Sequence, residues 1–183
     1  MKGSVLLLAC LAAGSAFVVS NQLKAGEVLL PNGGILGASQ CDLLWIYYQQ
    51  TNACYYAGDK LNFDAAEANC KSLGGHLTSI HNAFENAFIA SLTETGEKQN
   101  EDGQTWIGMQ FIGNNWKWTD GSANAYQYWA KGDPSKTSKK DCVELLQDEL
   151  KSGLSTKNLK GEWHNVECNV QMRKYVCKKA PNF

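Results

Sequence analysis

The 183-residue chain has no surplus of charge: 17 Lys and Arg stand against 18 Asp and Glu, a net charge of -1. No overall field therefore attracts nucleic acid or an anionic membrane, and electrostatic recognition has to be local. An apolar run of the roughly 20 residues that cross a bilayer is missing, so no membrane span is expected. The spacings of several catalytic and metal sites are absent as well. No CxxC, HExxH or GxSxG sequence occurs, and Gly74-Gly75 lacks the Lys-Ser/Thr continuation of a phosphate-binding loop. Histidine is scarce, with His76 and His81 flanking one extended stretch and His164 far away, which argues against zinc. Ser79 near His81 has no third partner in evident register and reads as a small polar cluster, so no enzyme is expected. No Asn-x-Ser/Thr sequence offers an N-glycan acceptor.

What is present begins with Met1-Lys2, an apolar stretch from Val5 to Ala13 and the small residues Gly14-Ser15-Ala16, the layout of a cleaved secretory signal. Residues 1–20 are expected to be that signal, cut near 16 or 20, which makes the protein secreted and extracellular. Cys10 leaves with the signal. Cys41, Cys54, Cys70, Cys142, Cys168 and Cys177 remain, an even set in an oxidising compartment, so disulfides are expected. Spacing alone does not choose among their many pairings.

Residues 21–40 carry Pro31, four glycines and no sustained period, which suits a flexible N-terminal segment. The runs Trp45 to Tyr48 and Cys54 to Tyr56, separated by turn-like residues, predict a short hairpin bounded by Cys41 and Cys54. Asn62 is placed to cap a helix with Asp64 and Glu67 in its first turn, Ala66, Cys70 and Leu73 on its inner face, and its end at Gly74-Gly75. After an extended stretch from His76 to Ile80, the Asn82-x-x-Glu85 pattern starts a second helix through Ala87, Phe88 and Leu92 that ends by Thr95-Gly96. Strand candidates follow at Thr105 to Gln110, Asn115 to Thr119, Cys142 to Leu146 and Tyr175 to Lys178. Two early helices and later antiparallel strands give an α+β domain.

The series Trp106-Ile107-Gly108-Met109, Trp116-Lys117-Trp118-Thr119-Asp120-Gly121, Tyr128-Trp129 and Gly132-Asp133-Pro134, with Cys142, Cys168 and Cys177 behind it, resembles the C-type lectin-like domain family. Ala66 to Cys70 and Gly75 to Ile80 are similar to that family's first helix and following strand. The resemblance covers 41–178, leaving a tail at 179–183. It implies a double-loop α+β fold in the long form, with disulfides Cys41–Cys54, Cys70–Cys177 and Cys142–Cys168. It also implies that Trp106 and Ile107 are core residues rather than ligand contacts.

In sugar-binding members of the family a calcium ion sits on the long loop, and a hard cation of this kind wants about 6 to 8 oxygen ligands. Carried over position by position, the pattern is degraded. Asp133-Pro134-Ser135 keeps one carboxylate and weakens the other flank to a hydroxyl. Lys140 stands where a glutamate ligand is expected, removing an oxygen and repelling the ion. After Trp163 the expected Asn-Asp pair is His164-Asn165. Only Asp133 and Asn165 remain plausible metal ligands, unless the loop takes another register in which Asp141 or Glu144 substitutes, so calcium is disfavoured and no cofactor is expected.

The same stretch from Lys131 to Lys140 holds four lysines and one acid, a local charge of +3. Beside exposed aromatics such as Tyr126 or Tyr128, such a loop can bind sulfated or carboxylated glycans through charge-assisted hydrogen bonds and ring stacking; the alternative is a solvated, mobile loop that only keeps the protein soluble. The candidate ligand residues are Asp133, Ser135, Lys136, Lys139, Lys140, His164 and Asn165. The expectation is a recognition module for extracellular glycans or glycoproteins, anionic ones included, with a role such as innate defence. The competing expectation is a calcium-independent protein-binding or matrix module with no sugar ligand, since fold does not settle function.

Overall fold

The computed structural model describes residues 40–135, 139–149 and 159–182, together with the backbone at 28–29 and 35–36. The expected signal peptide with Cys10, most of the N-terminal segment and Lys136 lie outside the described residues. The chain divides into two compact units, Met1–Ala38 and Ser39–Phe183. In the first, β1 (Val28–Leu29) pairs antiparallel with β2 (Ile35–Leu36), a pairing that the glycine-rich composition of this segment does not lead one to expect. Each strand is a pair of β-prone or leucine side chains, which is the local signal that the composition masks.

In the second unit, β3 (Ile46–Tyr48) turns back into β4 (Ala53–Leu61). The expected hairpin is present, but β4 runs five residues past Tyr56, through the charged Asp59 and Lys60. The reason is tertiary: β10 (Met172–Lys179) pairs with it along the whole length, from Met172↔Leu61 to Lys179↔Cys54. The two ends of the domain thus close on each other, and Cys70–Cys177 locks them across 107 residues of sequence. Closing a loop of that size removes about 4 to 5 kcal/mol of denatured-state entropy in the chain-entropy account. Cys41–Cys54 and Cys142–Cys168 complete the three pairs that the resemblance implies.

Both helices start as expected. Asn62 Oδ1 accepts from Ala65 N at 2.9 Å at the head of α1 (Phe63–Ser72), and Asn82 Oδ1 accepts from Glu85 N at 2.9 Å at the head of α2 (Ala83–Thr93). The Glu85 carboxylate reaches back to His81 N, one residue before the cap. Buried inside the fold, it also accepts from Tyr55 Oη and from Lys178 Nζ, each at 2.6 Å, so one carboxylate ties α2 to β4 and β10. Leu73 differs from expectation: it is the C-cap of α1 and 37% exposed, because the helix ends at Ser72, one residue before it.

After β5 (His76–Leu77) and α2 come β6 (Thr105–Ile112), β7 (Asn115–Trp118), β8 (Cys142–Leu145) and β9 (Trp163–Val166). Among the described residues, β3 to β10 form one mixed sheet in the order β3-β4-β10-β6-β8-β9, with β5 on β10 and β7 on β6. The pairing of β10 with β6 is parallel and the others are antiparallel.

Alternation along β6 places its side chains in two cores. Trp106 packs with Phe63, Ala66 and Leu77 in the core that α1 covers, whereas Ile107 and Met109 face Ile89, Ala90 and Trp163 in the one that α2 covers. All three β6 side chains are fully buried, the structural role that the resemblance implies. Gly108 lies between them against the backbone carbonyl of Leu77, and a Cβ there would also stand 2.9 Å from Thr119 Oγ1.

Candidate functional site

The long connection from β7 to β8 leaves the sheet at Gly121 and returns at Asp141, and β9 holds it at two levels. At the upper level Trp163 N donates to Tyr128 O at 2.8 Å and Ala130 N donates to Trp163 O at 3.0 Å, a short parallel bridge. Gly132 then turns the chain with φ of +99°, a conformation that favours glycine, and Asp133 N closes the turn on Ala130 O. The Asp133-Pro134 peptide that follows is cis.

The lower level is made by Asn165. Its Oδ1 accepts from Ser135 N at 2.7 Å and from Ser135 Oγ at 3.1 Å, while its Nδ2 donates to Ser135 O at 3.0 Å and to Lys140 O at 2.8 Å. The side chain is buried, and it clamps the loop on both sides of residues 136–138. The loop end is fixed by Phe111 N donating to Asp141 O at 2.7 Å and by the disulfide at Cys142.

His164 and Glu144 are direct partners across β8 and β9. Glu144 is fully buried, and neither of its oxygens has a hydrogen bond; Oε1 lies 3.8 Å from His164 Nδ1. On the other edge of the imidazole, Nε2 lies 3.9 Å from Asp133 Oδ2. Burial pushes the Glu144 carboxyl well above the usual range, with the negative charges of Glu101 and Asp133 adding to the shift. Burial likewise lowers the pKa of His164 and raises that of Asp133, each opposed by the attraction between the two.

Five expected site residues, Asp133, Ser135, Lys140, His164 and Asn165, therefore do come together. As a calcium cage they do not fit. The amide oxygen of Asn165 already accepts two hydrogen bonds, Ser135 N and Oγ point at that oxygen, and Lys140 joins the cluster through its backbone carbonyl. Of the two plausible ligands only the Asp133 carboxylate remains, and it faces an imidazole. Glu144 does not replace the missing ligand, being sealed beneath His164. No group of three or more His, Cys, Asp or Glu among the described residues is placed to hold a metal ion.

Lys131 and Lys139 stand in solvent at the loop's two shoulders, with Lys140 half-buried between the loop and β9. Tyr126 and Tyr128 differ from expectation. They line a separate cleft against α2, with Ala83, Ala87, Lys160 and Gly161. Sequence reasoning missed that cleft because it requires α2 and the strand-like start of the loop to be brought together. The Ser79 and His81 cluster is structural: Ser79 Oγ donates to Asp120 Oδ2 at 2.5 Å, and His81 Nε2 lies 3.1 Å from the same hydroxyl. The hydroxyl sits between acid and imidazole, whereas nucleophile activation needs the imidazole between them.

Comparison with known proteins agrees with this architecture. The sequence model of the lectin C-type domain matches residues 59–179. The galactose-specific lectin nattectin of Thalassophryne nattereri is 33% identical over 149 residues, covering 77% of this chain and 81% of that one. A perlucin-like protein of Mytilus galloprovincialis is 26% identical over 153 residues, covering 82% and 90%. Other relatives are far longer, and the chain spans only 4 to 9% of them. Among solved structures, a calcium-independent type II antifreeze protein superposes with a TM-score of 0.60 at 26% identity, over 78% of this chain and 95% of that one.

Proposed function

Since the chain belongs to the C-type lectin domain family, we propose that it is a secreted, non-catalytic recognition module that binds extracellular carbohydrate at its long loop without calcium. The observation that carries this reading is the clamp of Asn165 on Ser135 and Lys140. It holds the loop in shape through protein hydrogen bonds, the task that a bound cation would otherwise perform. The loop's chemistry then selects the ligand. Lys131, Lys136, Lys139 and Lys140 against a single Asp133 favour sulfated or carboxylated glycans, which accept charge-assisted hydrogen bonds from ammonium groups.

Heparin chromatography in calcium and in chelator tests this reading. Retention is expected to be equal in both buffers, to fall as salt rises, and to drop in a Lys136, Lys139 and Lys140 to Ala variant. Unchanged retention by that variant overturns it. The likeness to the calcium-independent antifreeze protein favours a second reading, in which the same fold serves a ligand that is not a sugar. A glycan array silent with and without calcium, together with capture of a protein partner, would select that alternative.

A further inference from the structure

The cleft beside α2 is built differently from the loop. Its volume is about 470 Å³, inside the range of roughly 300 to 1,000 Å³ typical of small-ligand pockets. Ala83 and Ala87, one turn apart and solvent-exposed, leave one wall low where larger side chains would fill the space. Opposite stand Tyr126 and Tyr128. The Tyr126 ring is fixed edge-on against buried Trp163, with centroids 5.7 Å apart, while Tyr128 is 40% exposed.

The floor is held open by a second clamp. Asn86 accepts from Trp163 Nε1 at 2.7 Å and donates to Gly161 O at 2.9 Å, so both ends of its amide are tied to the frame. Gly161 has φ of +91°, and a Cβ there would stand 2.9 Å from Asn86 Nδ2 and 3.7 Å from the Tyr128 ring. A side chain at this position would strain the backbone and crowd both walls.

Two features point to a ligand. Both tyrosines line the cleft, and neither hydroxyl has a hydrogen-bond partner among the described residues, so each keeps its donor and acceptor capacity for a ligand. The charge at the rim is also cancelled, because Lys160 Nζ is paired with Glu94 at 2.5 Å. An apolar ring surface with hydroxyls at its edge and no net charge matches a molecule with the same division, a pyranose with one CH face and a rim of hydroxyls.

We propose that the cleft between α2 and Tyr126–Tyr128 is a second saccharide site, specific for a neutral sugar ring and separate from the lysine-bearing loop. It stands on the Tyr128 ring and the alanine wall, and does not depend on the loop reading.

The test is an amide NMR titration of the full chain, in chelator, with the methyl glycosides of glucose, galactose, mannose and N-acetylglucosamine. At least one glycoside is expected to shift the amides of Ala87, Ser91, Tyr128 and Gly161. Ala87→Trp, at an exposed position that leaves the core untouched, is expected to abolish those shifts. Tyr128→Ala should weaken binding roughly tenfold, the loss of one stacking contact, whereas Lys139→Ala with Lys140→Ala leaves it unchanged. No shift at the cleft with any of the four sugars overturns the proposal, as does equal binding by an Ala87→Trp protein that melts like the parent. Loss of heparin retention in the lysine variant with glycoside binding intact separates the two sites.

Discussion

The side-chain amide of Asn165 grips Ser135 at three points, taking hydrogen bonds from its N–H and hydroxyl and returning one to its carbonyl. A fourth bond reaches the Lys140 carbonyl, so a single buried residue of β9 holds both shoulders of the long loop. Removing it takes four hydrogen bonds from the half-buried backbone and hydroxyl groups of Ser135 and Lys140, at about 1 to 3 kcal/mol for each group that is left unsatisfied. Asn165→Ala should therefore lower stability by about 2 to 4 kcal/mol in thermal or urea unfolding, and hydrogen exchange should quicken at the loop first. A variant with parent-like exchange at Ser135 would show that the clamp holds nothing.

Asn165→Asp gives a sharper form of the same test. A carboxylate accepts but does not donate, so the bonds to the Ser135 and Lys140 carbonyls are lost and two oxygens are brought against oxygen. The variant should melt lower than the parent at neutral pH.

Glu144 makes stability depend on pH. Its pKa is raised in the folded protein, chiefly by burial, so folding favours the protonated form. The contribution is fully present below the ordinary value of 4.5 and is lost progressively as pH rises from there through the raised pKa. The groups that set the field are Glu101, Asp133 and Asp102, opposed by Lys140, with His164 directly across the strand pair. Glu144→Gln removes the titration without changing the shape. Its melting temperature should exceed the parent's near pH 8, and the gap should close toward pH 4. A gap that is constant with pH would contradict the assignment.

Gly108 marks where the sequence pattern reflects packing rather than chemistry. Gly108→Ala forces a Cβ into the Leu77 carbonyl, and Trp106→Ala empties a fully buried site. The first should cost about 1 to 3 kcal/mol and the second about 3 to 5 kcal/mol, with ligand binding by the surviving folded fraction unchanged. Loss of binding without loss of stability would make these residues part of a site.

The scaffold was legible because its signals are local. Asn62 and Asn82 announce helix starts by side-chain chemistry, and Trp106 to Met109 carry both core faces in four residues. β9 was not legible: Trp163-His164-Asn165-Val166 is short and mixed in polarity, and it is a strand because β8 pairs with it and the long loop lies along it. The same holds for the candidate site. Sequence spacing brought Asp133, Ser135, Lys140, His164 and Asn165 into one neighbourhood, but it left the amide of Asn165 free to be a ligand. Only the tertiary fold shows that amide filled by hydrogen bonds. Tyr126 and Tyr128, expected beside the lysines, are drawn instead to the alanine side of α2, because Tyr126 packs on the buried Trp163 ring.

The central claim is that this loop recognises carbohydrate without a calcium ion, and a glycan array probed in calcium and again in chelator measures it most directly. The expected result is one set of bound glycans, anionic structures among them, with equal signal in both buffers and a reduced signal for the Lys136, Lys139 and Lys140 to Ala variant. Binding that appears only in calcium would contradict it.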